Sequence, residues 1–204
     1  MKYGITGIVL LATAAFAVAQ PEVQPIPPRY GVPALPDVFP QVSSKELLVS
    51  ALRAAERGKF DYLAAHLLDP QFVDDRVGQR AVPLEGGVDR DLRAERASQR
   101  ANPIATLPEY RIPDDPRLFD LAVRAEARNR AFKLVVKDIR DNLTEHPDHL
   151  NDFRKFLREG QFVDAGDSAS ANVKDLKDRQ MFFRRIEGRW FVENRQLPDV
   201  IEKK

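Results

Sequence analysis

The sequence predicts an α+β domain, in which N-terminal helices and a long helical middle segment pack on a C-terminal antiparallel sheet. Three observations lead there. Apolar residues recur at helical spacing over 44–57 and again over 115–157. After Gln161 the spacing changes to two, the period of a strand. The apolar share, 43% of 204 residues, is enough for a sizeable core in one domain with appendages.

The chain opens as a secretory signal peptide over residues 1–19. Lys2 is the basic start, Ile5 to Phe16 is the apolar run, and Ala17-Val18-Ala19 is an Ala-x-Ala cleavage site. Mature protein is therefore expected to begin at Gln20, exported to the periplasm or the extracellular space. The apolar run is short of the roughly 20 residues a membrane-spanning helix needs. No later segment approaches a span, so no membrane span is expected after cleavage. The chain has no cysteine, which excludes a disulfide framework, a thiolate metal site and a cysteine nucleophile. Export without disulfides points to a bacterial protein that relies on its core.

Residues 20–42 form a proline-rich leader with seven of the fifteen prolines. Each proline fixes φ and removes a donor, so an extended, polyproline-like linker is expected. The single domain is expected over 43–199. Ser43 and Glu46 make a capping box for a first helix ending at Gly58. Leu47, Leu48, Ala51, Leu52, Ala54 and Ala55 are its apolar face. Asp61 is expected to cap a short second helix bearing Leu63, Ala64, Leu67 and Leu68. Pro70 then opens a brief helical turn with Phe72 and Val73.

Residues 78–114 read as an exposed, charged insertion. Between Asp89 and Arg100 seven of twelve residues are charged, and Leu92 is the one large apolar group. Asp114-Asp115-Pro116 opens the longest helix. Leu118, Ala122, Ala125, Asn129, Phe132, Val136, Ile139 and Leu143 alternate at spacings of four and three, a stripe suited to core packing or to a homodimer through the 115–143 helix. Pro147 breaks and restarts the helix, and Gly160 stops it. Ala169, Ala171 and Val173 then alternate with polar residues. Arg179 to Ile186 and Arg189 to Arg195 form a hairpin turned at Glu187-Gly188. Both faces of that hairpin carry large apolar groups, so both are expected to be covered.

Three segments carry a resemblance. Ala51-Leu52-Arg53-Ala54-Ala55-Glu56-Arg57-Gly58-Lys59-Phe60-Asp61 resembles the opening of the nuclear-transport-factor-two-like superfamily, where a helix ends in a Gly-x-Phe/Tyr turn. Gly166-Asp167-Ser168-Ala169-Ser170-Ala171-Asn172-Val173 looks like its "Gly-Asp-x-Ala" strand. Arg184-Arg185-Ile186-Glu187-Gly188-Arg189-Trp190-Phe191-Val192 looks like its final hairpin. The matching stretches are 44–69 and 161–195, and segment 78–160 is larger and more helical than that family usually shows. The resemblance implies a cone, with a curved sheet wrapping a helix. It also implies a concave site with Tyr62, His66, Phe183 and Trp190 as candidate lining. Enzymes of that superfamily, such as ketosteroid isomerases, place an acidic base and tyrosine or acid donors inside the cone.

Other chemistry is thinly represented. His146 and His149 lie three apart, but Pro147 interrupts the helix between them and no zinc-protease pattern is present, so no metal is expected. No phosphate loop, nucleophile elbow or dinucleotide fingerprint occurs, and no cofactor is expected. Arg184, Arg185 and Arg189 lie near Phe182 and Phe191 on the hairpin. With 32 basic against 31 acidic residues there is no field to hold nucleic acid, so these arginines read as a solvated strand edge. The expectation is an exported, non-enzymatic domain that binds a small apolar ligand or a protein partner. The alternatives are a cone-pocket isomerase or hydrolase using Tyr62 and His66 with an acid, and a structural envelope protein tethered by its leader.

Overall fold

The computed structural model describes residues 26–102, 111–176 and 179–195. The expected signal peptide and the chain beyond Arg195 lie outside the described residues. The architecture is α+β: helices fill the N-terminal and middle regions, followed by a four-stranded antiparallel sheet whose strands neighbour one another in sequence order. Among the described residues no helix is long and apolar enough to cross a membrane.

Helix α1 spans Ser44–Glu56, and the Ser43 side chain accepts from the Glu46 N–H at 3.1 Å. Leu47, Leu48, Ala51 and Ala54 are fully buried, as their spacing predicts. Helix α2 (Phe60–Tyr62) runs straight into a π-helical turn over Leu63–Leu67, closed by the Leu68 N–H on the Leu63 carbonyl at 3.0 Å. Asp61 is exposed within the first turn of α2 and does not cap it. The π turn joins two cores. Leu63 and Leu67 belong to a core shared with Leu47, Phe156 and Phe183, and Ala64 and Ala65 to one shared with Val73, Val88 and Phe119.

Helix α3 spans Pro70–Ala81, far more than the brief turn expected. Asp69 caps it, accepting from the Gln71 N–H at 2.9 Å. The segment expected as a largely exposed insertion contains the end of α3 and a 17-residue helix, α4 (Glu85–Ala101). Its charged surface is as expected, but α4 is pinned to the core by buried Val88 and by Arg96 lying over the Phe119 ring at 4.4 Å.

Helix α5 (Pro116–Glu145) is capped by Asp115, which accepts from the N–H groups of Arg117 and Leu118. Its buried face is not the predicted stripe along its whole length. Phe119, Val123, Ala127, Ala131 and Val135 are buried, a ridge of strict four-residue steps, whereas Leu118 and Leu121 are 53% and 59% exposed. The predicted stripe turns inward only from Phe132 to Leu143. The reason is steric. Ala127 and Ala131 leave room for the α3 ridge of Val73, Val77 and Ala81, and close ridge-to-ridge packing outweighs the larger side chains at 118 and 121.

Helix α6 (Pro147–Glu159) leads into β1 (Gln161–Ala165), a strand the sequence pattern does not reveal because four of its five residues are exposed. Strand β2 (Ser168–Asn172) follows the predicted alternation, and β3 (Gln180–Ile186) and β4 (Arg189–Glu193) form the predicted hairpin. Phe183 pairs with Val192 and Ala169 with Phe183 in register, so Ala169, Ala171, Met181, Phe183 and Trp190 share the helix-facing core. Glu187 and Gly188 both have positive φ, 49° and 78°, as a two-residue hairpin turn requires. Trp190 and Phe191, on opposite faces, are both buried.

The leader departs most from expectation. Residues 29–41 are a strap bound to the domain, not a free linker. Its carbonyls are met by side chains of the folded body: Val38 by Arg53 at 2.9 Å and Pro40 by Ser50 at 2.7 Å. Tyr30 stacks on Phe132 with ring centroids 4.3 Å apart, and Phe39 is 3% exposed. Prolines make this cheap. They leave fewer N–H groups to satisfy, and their fixed φ reduces the entropy lost on docking.

Candidate functional site

Two neighbourhoods compete for the role of site, and the Leu63–Leu67 turn lies between them. The first holds the side chains singled out from sequence. Tyr62 is buried, its hydroxyl accepting from the Leu35 N–H at 3.1 Å, and its ring is 4.5 Å from Phe39 and 4.9 Å from His66. Burial raises the Tyr62 phenol above its ordinary pKa. His66 is 1% exposed and donates from Nε2 to the Val32 carbonyl at 2.9 Å. A carbonyl can only accept, so this bond fixes the Nε2–H tautomer. Burial holds the imidazole pKa below its ordinary value; the Val32 bond opposes that shift, and Arg189 and Arg29 add to it.

Gln41 completes the arrangement. Its side-chain amide donates to the His66 carbonyl at 2.8 Å and to the Trp190 carbonyl at 2.7 Å, and its backbone carbonyl accepts from the Trp190 N–H at 3.1 Å. The Tyr62 hydroxyl and His66 Nε2 are thus bonded to the strap. Phe183 and Trp190 sit in the helix–sheet core, 0% and 4% exposed. Neither Tyr62 nor His66 is hydrogen-bonded to a carboxylate among the described residues. No buried side-chain nitrogen or oxygen among those residues lacks a partner. This neighbourhood is filled and satisfied.

The second neighbourhood is open. A cavity of about 500 Å³ lies between α3, α5, α6 and β4. Leu63, Leu68, Phe72, Val135, Ile139, Leu143, Phe153 and Val192 provide its apolar lining. Arg76, Arg80, Asp138, Asn142, His149 and Glu193 bring polar groups to it. None of Tyr62, His66, Phe183 and Trp190 contributes to this lining. Its size falls within the roughly 300–1,000 Å³ of small-molecule sites, and an apolar interior with a few placed polar groups is their usual composition. A shallower depression of about 380 Å³ adjoins it across His149 and Phe153.

Each wall has a local cause. On α3, Phe72, Arg76 and Arg80 are four apart and form the ridge next to the buried Val73-Val77-Ala81 row. On α5, Ile139 and Leu143 fall four apart on the part of the stripe that turns inward. Asp69 ties β4 to the start of α3 through its N–H on the Val192 carbonyl at 2.9 Å, which brings Val192 beside Leu68. Phe72 and Phe153 were legible as apolar positions. Arg76 and Arg80 were not, because the helix was expected to end before them.

No family model, curated protein or solved structure matches the chain. The cavity must therefore be read on its own chemistry. Arg80 is paired with Asp138, and Glu193 with Arg195 at 2.9 Å. His149 Nδ1–H donates to Asn142 Oδ1 at 3.1 Å. The His146 and His149 rings are 5.4 Å apart, and among the described residues no group of three or more His, Asp or Glu could hold a metal ion. Arg184 lies 3.9 Å from Asp69, and Arg189 packs over the Phe191 ring at 5.2 Å. The hairpin arginines are thus partly spent on the fold.

Proposed function

We propose that the protein is an exported, non-enzymatic binding domain that holds a small, largely apolar ligand in the cavity between α3, α5, α6 and β4. The observation that carries this reading is an apolar hollow of about 500 Å³, reached by a handful of polar side chains. A binding role is favoured over catalysis because Tyr62 and His66, the acid–base candidates, are engaged by the strap and hydrogen-bond to no carboxylate among the described residues. The signal-peptide pattern of residues 1–19 supports export.

Native mass spectrometry of mature protein from its own exported fraction tests the reading, together with titration by Nile red, a neutral apolar dye. The expected result is a retained small molecule, or one dye per chain after delipidation. A chain that carries nothing and takes up no dye overturns it. The same spectrum reports oligomeric state, and a dimer would favour the exposed Leu118 and Leu121 on α5 as a surface for a second copy.

A further inference from the structure

Resting on the cavity reading, we infer that the ligand is a single-chain amphiphile with one anionic head group, a long-chain carboxylate, whose head is held by Arg76. The charge balance around the cavity points to it. Arg80 is neutralised by Asp138 and Glu193 by Arg195. Arg76 is the remaining charged side chain of the lining, and among the described residues no carboxylate pairs with it. The hollow therefore offers one uncompensated positive charge beside apolar walls.

The Arg76 guanidinium lies over the Phe72 ring, 5.4 Å from its centroid. The contact with the ring limits the motion of the arginine, whose N–H groups can grip a carboxylate with two parallel bonds. Asn142 adds donors. Its Oδ1 is occupied by His149, which leaves the amide N–H groups for a second contact with the head. The alkyl chain then covers Ile139, Leu143 and Phe153. A cationic amphiphile would meet Arg76 without compensation, since both acids of the lining are already paired. A neutral one would gain the apolar contact alone.

The test is calorimetric titration of delipidated protein with dodecanoate, methyl dodecanoate and dodecyltrimethylammonium, each below its micelle concentration. Dodecanoate is expected to bind at least about tenfold more tightly than its methyl ester, the effect of one charge-assisted contact. Arg76→Gln should bring the two to parity by weakening dodecanoate. Arg76→Glu should move the preference to the ammonium. Arg76 is exposed on α3, so both variants should melt like the parent. Equal affinity for acid and ester in the parent overturns the anionic head while leaving the cavity reading standing. Failure of all three amphiphiles and of Nile red sinks the cavity reading as well. Response to anionic vesicles alone, with none to monomeric dodecanoate, overturns the proposal in favour of a membrane surface.

Discussion

On one side of the Leu63–Leu67 turn, the strap, Tyr62, His66, Gln41 and Trp190 form a closed system joined by hydrogen bonds, and among the described residues no buried side-chain nitrogen or oxygen lacks a partner. On the other side, Leu63 and Leu68 face an apolar hollow reached by a few charged side chains. Both sides mix aromatic, aliphatic and polar residues, so composition does not separate them. What separates them is where the hydrogen bonds go. A tyrosine and a histidine four apart look like acid–base chemistry until their atoms are found holding a backbone segment. An arginine that looks like ordinary helix surface becomes the conspicuous group once its neighbours are paired and it is not.

If the closed side is structural, it should break first under truncation. Trp190→Ala removes a buried indole from the helix–sheet core and should destabilise the protein by about 3–5 kcal/mol. Phe153→Ala, on the open side, removes a ring that is only half buried and should cost clearly less. Urea unfolding of the two variants measures the difference, and equal losses would erase the distinction.

Gln41→Ala sharpens the contrast without touching the apolar core. It leaves the His66 and Trp190 carbonyls short of a donor and the Trp190 N–H without its acceptor only if the strap also lifts. The expected cost is about 2–3 kcal/mol, from buried groups left unsatisfied. Amide exchange at Leu35, whose N–H is held by Tyr62, should accelerate in this variant, and unchanged protection there would show that Gln41 does not hold the strap.

The open side should respond in function instead. Ile139→Trp places an indole in the cavity from a half-buried position and should change stability by less than about 1.5 kcal/mol. Nile red uptake should fall by at least about tenfold, which corresponds to 1.4 kcal/mol. Retained uptake in a folded variant would move the binding site away from this hollow.

The same contrast explains what the sequence could and could not disclose. Strand β2 was legible because Ala169 and Ala171 alternate with polar residues, and β3 and β4 because Phe183 and Trp190 sit in an aromatic-rich hairpin around Glu187-Gly188. Helix α1 was legible from its cap and its apolar face. Strand β1 was not, since Val163 is 58% exposed and an edge strand need bury little. The strap was hidden by its prolines, which exclude regular structure but not docking by side-chain donors such as Arg53 and Ser50. Helix α5 was legible as a helix but not in rotation, because the choice between the Leu118 stripe and the Phe119 ridge is made by α3. The cavity depends on four elements meeting, and no local pattern encodes that meeting.

The smallest expected effect is on pH dependence, and it tests the closed side without altering its packing. Burial holds the His66 imidazole below its ordinary pKa, so the folded protein resists a proton that the unfolded chain accepts. Unfolding free energy should therefore fall as pH drops below the ordinary imidazole value of about 6.5, and stop falling once the folded imidazole also titrates. The slope from one such group is at most about 1.4 kcal/mol per pH unit. Asp89, Asp114 and Asp141 are held below the usual carboxylate range by hydrogen bonds from Arg93, Arg100 and Lys137. Their contribution is present above the unfolded carboxylate pKa of about 3.9 and is lost only as pH falls through that region, so the decline due to His66 begins at higher pH. His66→Gln keeps an amide donor for the Val32 carbonyl and removes the titration. Its stability should be flat where that of the parent declines. A decline of the same size in both proteins would assign the pH dependence to another group, and would free His66 from its role as the strap's buried neutral donor.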